Sequence, residues 1–378
     1  MKVLVIGGGI IGCLTACFLK KQGADVVVLE RGQMGQEASW AGAGILCPIH
    51  PWLYPNSFTK LIDASLDLYP EFQEHIEKDT GMMIERYVSG LMIPFFNDDK
   101  INHWQAALDW SQRLGWQVNM LNQNQTLAHE PALSKAVTKS LLWRDVAQVR
   151  NPRLLQAIQA WMQMLGVEIR QQTEVASLLC KQGKVSGVQC ADGVSIETDQ
   201  VLLAGGSWSG ELAEQLGFSL PVRPVKGQIV LLKGKPNIMR SIVKHDDAYF
   251  VPRKDGRILV GASMEFVGFA RGNTDDVIDM LLQSMARIMP GLKNLTIEKQ
   301  WMGFRPGSPD GLPFLGAVEG IEGLWVASGH YRNGVALAPI TAQVMSDWMM
   351  GEKPTLDMRD FSPSRHIPAN TALGFPQN

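Results

Sequence analysis

The opening thirty residues constrain the fold of this chain more tightly than any other segment. Residues 3–6 (Val-Leu-Val-Ile) are a short, wholly apolar run of the kind a buried parallel strand requires. Gly7-Gly8-Gly9-Ile10-Ile11-Gly12 follows at once. Residues 10–22 then read as a helix with Ile11, Leu14, Thr15, Phe18 and Leu19 facing inward and Gly23 placed as a left-handed cap. A second apolar strand over residues 26–29 ends at Glu30, 18 residues beyond Gly12. Each part of this βαβ unit has a physical task. Gly7 permits the tight turn, Gly9 lets backbone approach a pyrophosphate, Gly12 lets helix pack on strand, and the helix start at Ile10 and Ile11 offers amide donors. Glu30 is placed to accept from ribose hydroxyls and would repel a 2′-phosphate, which favours FAD or NAD over NADP. Arg31 beside it reads as a solvated charge or as one more contact at the dinucleotide.

The rest of the composition is that of a folded protein. At roughly 150 residues per domain, 378 residues point to two domains. Hydrophobic residues at 46% and charged residues at 19% exclude disorder. A net charge of −2 gives no general attraction for nucleic acid or anionic membranes. Five cysteines without a Cys-x-x-Cys pair and seven scattered histidines suggest neither a disulfide framework nor a metal site, and fit a reducing, cytoplasmic compartment. The uncharged run over residues 3–19 has the outline of a signal sequence, but four glycines break it into strand, turn and helix. Glycine is in excess, 37 of 378 against a usual share of roughly 7%, so where backbone must approach a ligand becomes the informative question.

Further along, the Glu37 to Ile45 segment is rich in small residues that would let backbone lie against a flat ligand, or form an ordinary turn. Asn151-Pro152 starts a helix expected to run to about residue 165. Strands are expected at 167–170, 175–179, 185–190 and 201–204, the last leading into Gly205-Gly206-Ser207-Trp208. Residues 222–232 read as a strand broken by Pro224 and Gly227, and 249–252 and 258–261 as a hairpin turning at Asp255-Gly256. Thr274 is placed to cap a helix over 275–288. Residues 303–311 read as a polar loop, and a strand at 324–327 leads through Ser328-Gly329-His330-Tyr331-Arg332-Asn333-Gly334 into a helix over 336–350. The proline-rich tail from Lys353 reads as an extended surface arm.

These segments resemble the FAD-dependent D-amino-acid oxidase family, and most closely the bacterial glycine oxidases of thiamine biosynthesis. The resemblance rests on the opening glycine motif, Ser39-Trp40-Ala41-Gly42-Ala43-Gly44, Val149-Arg150-Asn151-Pro152-Arg153-Leu154 and Leu203-Ala204-Gly205-Gly206-Ser207-Trp208-Ser209. It continues through Pro224-Val225-Lys226-Gly227-Gln228, the 303–311 segment and Gly329-His330-Tyr331-Arg332-Asn333-Gly334. It implies a mixed α/β architecture. A Rossmann-type FAD-binding domain (residues 1–85, 145–220 and 300–378) would be interleaved with a substrate domain (86–144 and 221–299) built on a large antiparallel sheet over the flavin. The implied cofactor contacts are those of the βαβ unit, then Ser39, Ala41, Gly42, Gly44, Ile45, Val175, Gly205, Gly206 and Trp208, and Gly329, His330, Arg332, Asn333, Gly334 and Val335 near the pyrimidine edge of the ring. No cysteine follows Cys190, where similar sarcosine oxidases attach their flavin near the loop holding Arg305, so the FAD is expected to be non-covalent.

The chemistry implied is transfer of the α-hydrogen of an uncharged amine to flavin N5 as hydride. The imine is released or hydrolysed, and O₂ reoxidises the flavin to give hydrogen peroxide. Arg305 would hold the substrate carboxylate through its planar fork. Tyr249 would add a hydroxyl, or be a half-buried sheet tyrosine; Arg332 would stabilise charge on the reduced ring, or pack on Tyr331. Met264 and Ile45 would narrow the amine pocket toward glycine, sarcosine and small D-amino acids, or belong to the core, while His245 and His330 read as structural. The partners are then a small amino-acid substrate and O₂, with no nucleic acid and no integral membrane segment, in a homo-oligomer such as a tetramer. A sarcosine oxidase or D-amino-acid dehydrogenase of the same fold, and a flavin-binding protein without turnover, remain as alternatives.

Overall fold

The structure is a computed structural model and describes residues 1–48, 51–97 and 104–367. A six-stranded sheet runs in the order Phe314–Ala317, Leu324–Ser328, Gln200–Leu203, Lys2–Ile6, Asp25–Leu29, Glu168–Arg170. All its neighbours are parallel except the Phe314–Ala317 edge. Alternate residues of the central strands serve two cores. Val3, Val5, Val26 and Val28 face helices Ile10–Lys21, Asn56–Thr80, Asn151–Met164 and Ala338–Met349, while Leu4, Ile6, Val27 and Leu29 face the three-stranded meander Val175–Lys181, Lys184–Cys190, Ser195–Glu197. Burial on both faces is why these strands are uninterrupted apolar runs.

The second large sheet has eight strands, in the order Thr296–Gly307, Arg223–Lys233, Arg257–Gly261, Ala248–Pro252, Ile242–His245, Leu91–Phe96, Val137–Trp143, Asn119–Asn122. Its pairs are antiparallel except Ile242–His245 with Leu91–Phe96. Helix Asp275–Ile288 covers Val230, Val243, Phe250 and Val260 on one face. The opposite face, with Ile229, Tyr249, Val251 and Leu259, packs toward Ala43, Ile45 and Cys47 from the segment that follows the βαβ unit. No helix among the described residues is long and apolar enough to cross a membrane.

The βαβ unit, the 249–261 hairpin and helix Asp275–Ile288 lie where the sequence places them; four expectations do not hold. The expected break at Pro224 and Gly227 is absent, because Arg223–Lys233 is one strand, paired along its length with Thr296–Gly307. Pro224 sits near its beginning opposite Pro306, where a missing N–H costs least. The same pairing extends the partner strand to Gly307, so the polar loop is confined to residues 308–311. Thr274 precedes its helix without a side-chain cap; its hydroxyl accepts from Gln228 Nε2 at 3.0 Å instead. The tail is no free arm as far as residue 367. Met358 and Phe361 are buried, and Arg365 makes a two-pronged pair with Asp310 (2.8 and 2.9 Å) while lying 3.8 Å over the Phe314 ring. Phe361→Ala should therefore cost roughly 3–5 kcal/mol, measured by denaturant unfolding; a change near zero would restore the arm.

Candidate active site

Four turns that leave the C-terminal ends of the parallel strands, after Ile6, Leu29, Leu203 and Ser328, converge on two adjoining cavities, the crevice such sheets offer to ligands. The outer cavity is lined by Gly7, Gly9, Glu30, Arg31, Ser39, Val175, Gly205, Gly206 and Trp208. The inner one is lined by Ile10, Ile11, Ala41, Gly42, Gly44, Ile45, Tyr249, Met264, Arg305, His330, Arg332, Gly334 and Val335. Gly9, Ser39, Ala204 and Gly206 belong to both, so the two form one elongated cleft.

The outer half has the form of a dinucleotide cradle. Gly7 has φ +116°, and a Cβ there would lie 2.3 Å from the Ala204 carbonyl oxygen. The Glu30 carboxylate is held at the cleft by the amides of Gly8 and Gly32, each at 2.7 Å. At Gly206 a Cβ would meet nothing within 4 Å, and at Gly9 only the Ser39 hydroxyl at 3.4 Å, so both backbones face open space. The Ile10 amide at the helix start is taken by that hydroxyl at 2.9 Å. Arg31 is not simply solvated; it lies 4.0 Å over the Trp208 ring, which stacks in turn on Phe269. Three further residues of the cofactor motifs make contacts within the protein. Gly12 serves the helix–strand crossing, where a Cβ would lie 2.1 Å from the Gly7 oxygen; Gly329, at φ +73°, abuts Phe314; and the Asn333 amide donates to the Tyr54 hydroxyl at 2.9 Å.

At the inner end a glycine loop faces the large sheet. A Cβ on Gly44 would lie 2.0 Å from the Val149 oxygen, which fixes the loop close to the strand beside it. Arg253, which the sequence reading missed, clamps this corner. Its buried guanidinium donates to Gln148 Oε1 (2.7 Å), Val149 O (3.1 Å) and Ala43 O (2.8 Å), and burial pushes its pKa down to about 10. Across the cavity, the Arg305 guanidinium lies against Gly227, where a Cβ would be 2.3 Å from Nη1. It donates to the backbone carbonyls of Ser263 at 3.0 Å and Lys226 at 3.5 Å and is hydrogen-bonded to Tyr249, all uncharged partners that leave the fork's charge available to a ligand. Ser263 is positioned by Glu265, itself 3.7 Å from the buried Lys226 ammonium. The Tyr249 ring leans over Gly261, and burial raises its phenol pKa while the Arg305 charge opposes the rise.

Arg332 lies 5.0 Å over the Tyr331 ring, the packing expected as one of its alternatives, and also lines the cavity. Its Nη2 and the Tyr331 hydroxyl each reach Met264 Sδ at 3.0 Å, so Met264 is fixed as a wall. The His330 ring is buried, 3.1 Å from the Thr341 hydroxyl, and burial pushes its pKa down to about 3, so it stays neutral.

The chain matches the DAO, FAD dependent oxidoreductase, family over residues 2–348. It belongs to this family. A glycine oxidase of Pseudomonas putida is 38% identical over 367 residues, covering 97% of this chain and 99% of that protein. The bifunctional protein ThiO/ThiG of Synechocystis is 37% identical over 97% of this chain and 54% of its own length. The crystal structure of glycine oxidase from Bacillus cereus superimposes with a TM-score of 0.89 at 30% identity, covering 97% of this chain and 99% of that one. The protein is thus an FAD-dependent oxidoreductase, and the cleft fits that cofactor: the open backbones of Gly9 and Gly206 and the tethered Glu30 suit its dinucleotide, and the inner cavity has room for its ring.

One further buried charge escaped the sequence reading. Lys244 is 3% exposed and its Nζ has no hydrogen-bond partner among the described residues. Burial lowers its pKa from an ordinary 10.5 to about 7, against the more distant Asp247 and Asp246 and together with Arg332. Between those two pH values the unfolded chain holds a proton that the folded chain releases, so this lysine's burden on stability shrinks as pH rises from 7 to 10.5. Lys244→Met should raise the melting temperature at pH 7 and flatten the pH dependence across that window, as read by thermal unfolding at fixed ionic strength.

Proposed function

We propose that this enzyme oxidises glycine and other small primary and secondary amino acids, sarcosine and small D-amino acids among them. O₂ is the electron acceptor; the products are an imine, which hydrolyses to glyoxylate and ammonia in the case of glycine, and hydrogen peroxide. The observation that carries this reading is the Arg305 fork, hydrogen-bonded to two backbone carbonyls and to Tyr249 in the cavity that continues into the dinucleotide cradle. The names of the relatives point the same way.

FAD, when bound, supplies the acceptor for the two electrons of the substrate's α C–H bond. The protein's part is placement. Arg305 and Tyr249 hold the carboxylate, and the charged fork contributes roughly 1.5–3 kcal/mol per good hydrogen bond. Ile45, Met264 and Tyr249 limit the room around the α-carbon, which favours glycine over bulkier amines. Arg332 presents a fixed positive charge on the same cavity. No side-chain base is required at carbon, and a neutral, hydrogen-bonded His330 supplies none. The FAD is held non-covalently, the molecule divides into interleaved cofactor and substrate domains, and the imine of glycine feeds assembly of the thiazole ring of thiamine.

Glycine should bleach the flavin anaerobically and, in air, yield one peroxide per turnover. Bleaching without peroxide would identify a dehydrogenase, and no bleaching by any small amine would sink the reading. Arg305→Lys should lower kcat/KM for glycine roughly ten- to hundredfold, by loss of the fork. Gly227→Ala should do the same from outside the substrate's reach, because the added Cβ displaces the guanidinium; unchanged kinetics in both would remove Arg305 from the carboxylate site.

A further inference from the structure

Lys244 opens onto a second, narrow cavity beside the first. Its walls are apolar, with Leu91, Ile93, Trp52, Trp116 and Trp143 contributing, and Ile45 and Cys47 are shared with the inner cavity of the cleft. The register of the large sheet places Lys244 directly opposite Tyr249, so the two side chains leave the same face. Gly261 then lets the tyrosine ring lean away over the neighbouring strand. The two cations of this face therefore lie on opposite sides of Tyr249. Arg305 is folded over Gly227, and Lys244 stands three strands further on, a spacing that leaves on the order of 10 Å between the groups they would hold.

A buried ammonium in an apolar wall with no hydrogen-bond partner is worse for stability than a methionine of similar size. What the position lacks is an acceptor, and the shared walls at Ile45 and Cys47 put it within reach of a ligand anchored at Arg305.

We infer that the Lys244 cavity is a distal anion subsite, which takes the far carboxylate of a substrate or inhibitor whose near carboxylate is held by Arg305 and Tyr249. The ligand class is a two-ended acid with an apolar linker, and among substrates an N-(ω-carboxyalkyl)glycine. The inference rests on the assignment of Arg305 as the carboxylate anchor.

Straight-chain α,ω-dicarboxylates of four to ten carbons, each compared with the monocarboxylate of equal length, test it on the FAD-loaded enzyme. Binding is followed by calorimetry and needs no turnover. At the fitting length the dicarboxylate should bind about tenfold tighter or better, and Lys244→Met should abolish that advantage. In parallel, the ratio of kcat/KM for N-(ω-carboxyalkyl)glycines over N-alkylglycines of equal length should fall by a similar factor in Lys244→Met, each variant serving as its own control for folding. Dicarboxylates that bind no tighter at any length, or an advantage that survives Lys244→Met, would overturn the subsite. Tight, Lys244-dependent dicarboxylate binding in an enzyme that oxidises no amine would uphold the subsite and defeat the amine-oxidase reading instead.

Discussion

The buried guanidinium of Arg253 ties the cofactor end of this molecule to its substrate end. It leaves the end of strand Ala248–Pro252 and is satisfied by neutral acceptors: a side-chain amide, the carbonyl that precedes Arg150 and the carbonyl of Ala43. A charge in such a place is held by geometry, since three aligned acceptors must replace the water it has lost. The position of the glycine loop relative to the large sheet, and so the width of the inner cavity, follows from this clamp and from the close contact of Gly44 with the strand beside it.

Glycine does two different things in the cleft. At Gly7 and Gly44 it relieves a steric conflict between backbone segments that already touch, both at positive φ. At Gly227 and Gly261 the missing Cβ is a seat for a functional side chain, Arg305 on one and Tyr249 on the other. The first use builds the scaffold; the second flattens two long polar side chains against a sheet at the lining of the inner cavity.

Local signals made the first half legible. The βαβ unit could be read because apolar runs, a glycine turn and a terminal acid all lie within thirty residues, and the hairpin at Asp255-Gly256 because its turn chemistry is local. The continuous strand Arg223–Lys233 was hidden, because Pro224 and Gly227 are breakers by propensity and only pairing with residues 296–307 overrides them. Helix Asn56–Thr80 was hidden by its polar face and by Pro70 in its interior. Lys244 and Arg253 look like surface charges beside turns; their burial is decided by which face of an eight-stranded sheet they occupy, a property of tertiary packing that sequence spacing does not encode. Gly12 packs helix on strand as its place in the glycine motif implies, because that contact too is local.

The seats under Arg305 and Tyr249 have a consequence for how such a cleft can diversify. Its floor has no slack: any side chain added at position 227 or 261 collides with the group that rests there. Its walls are methionine, isoleucine, cysteine and tyrosine side chains, which tolerate exchange in size and shape. Evolution, or a protein engineer, can thus redraw the outline of the cavity while the seats of Arg305 and Tyr249 stay constant. Variation in this cleft belongs to the rim, over a floor that admits a single solution.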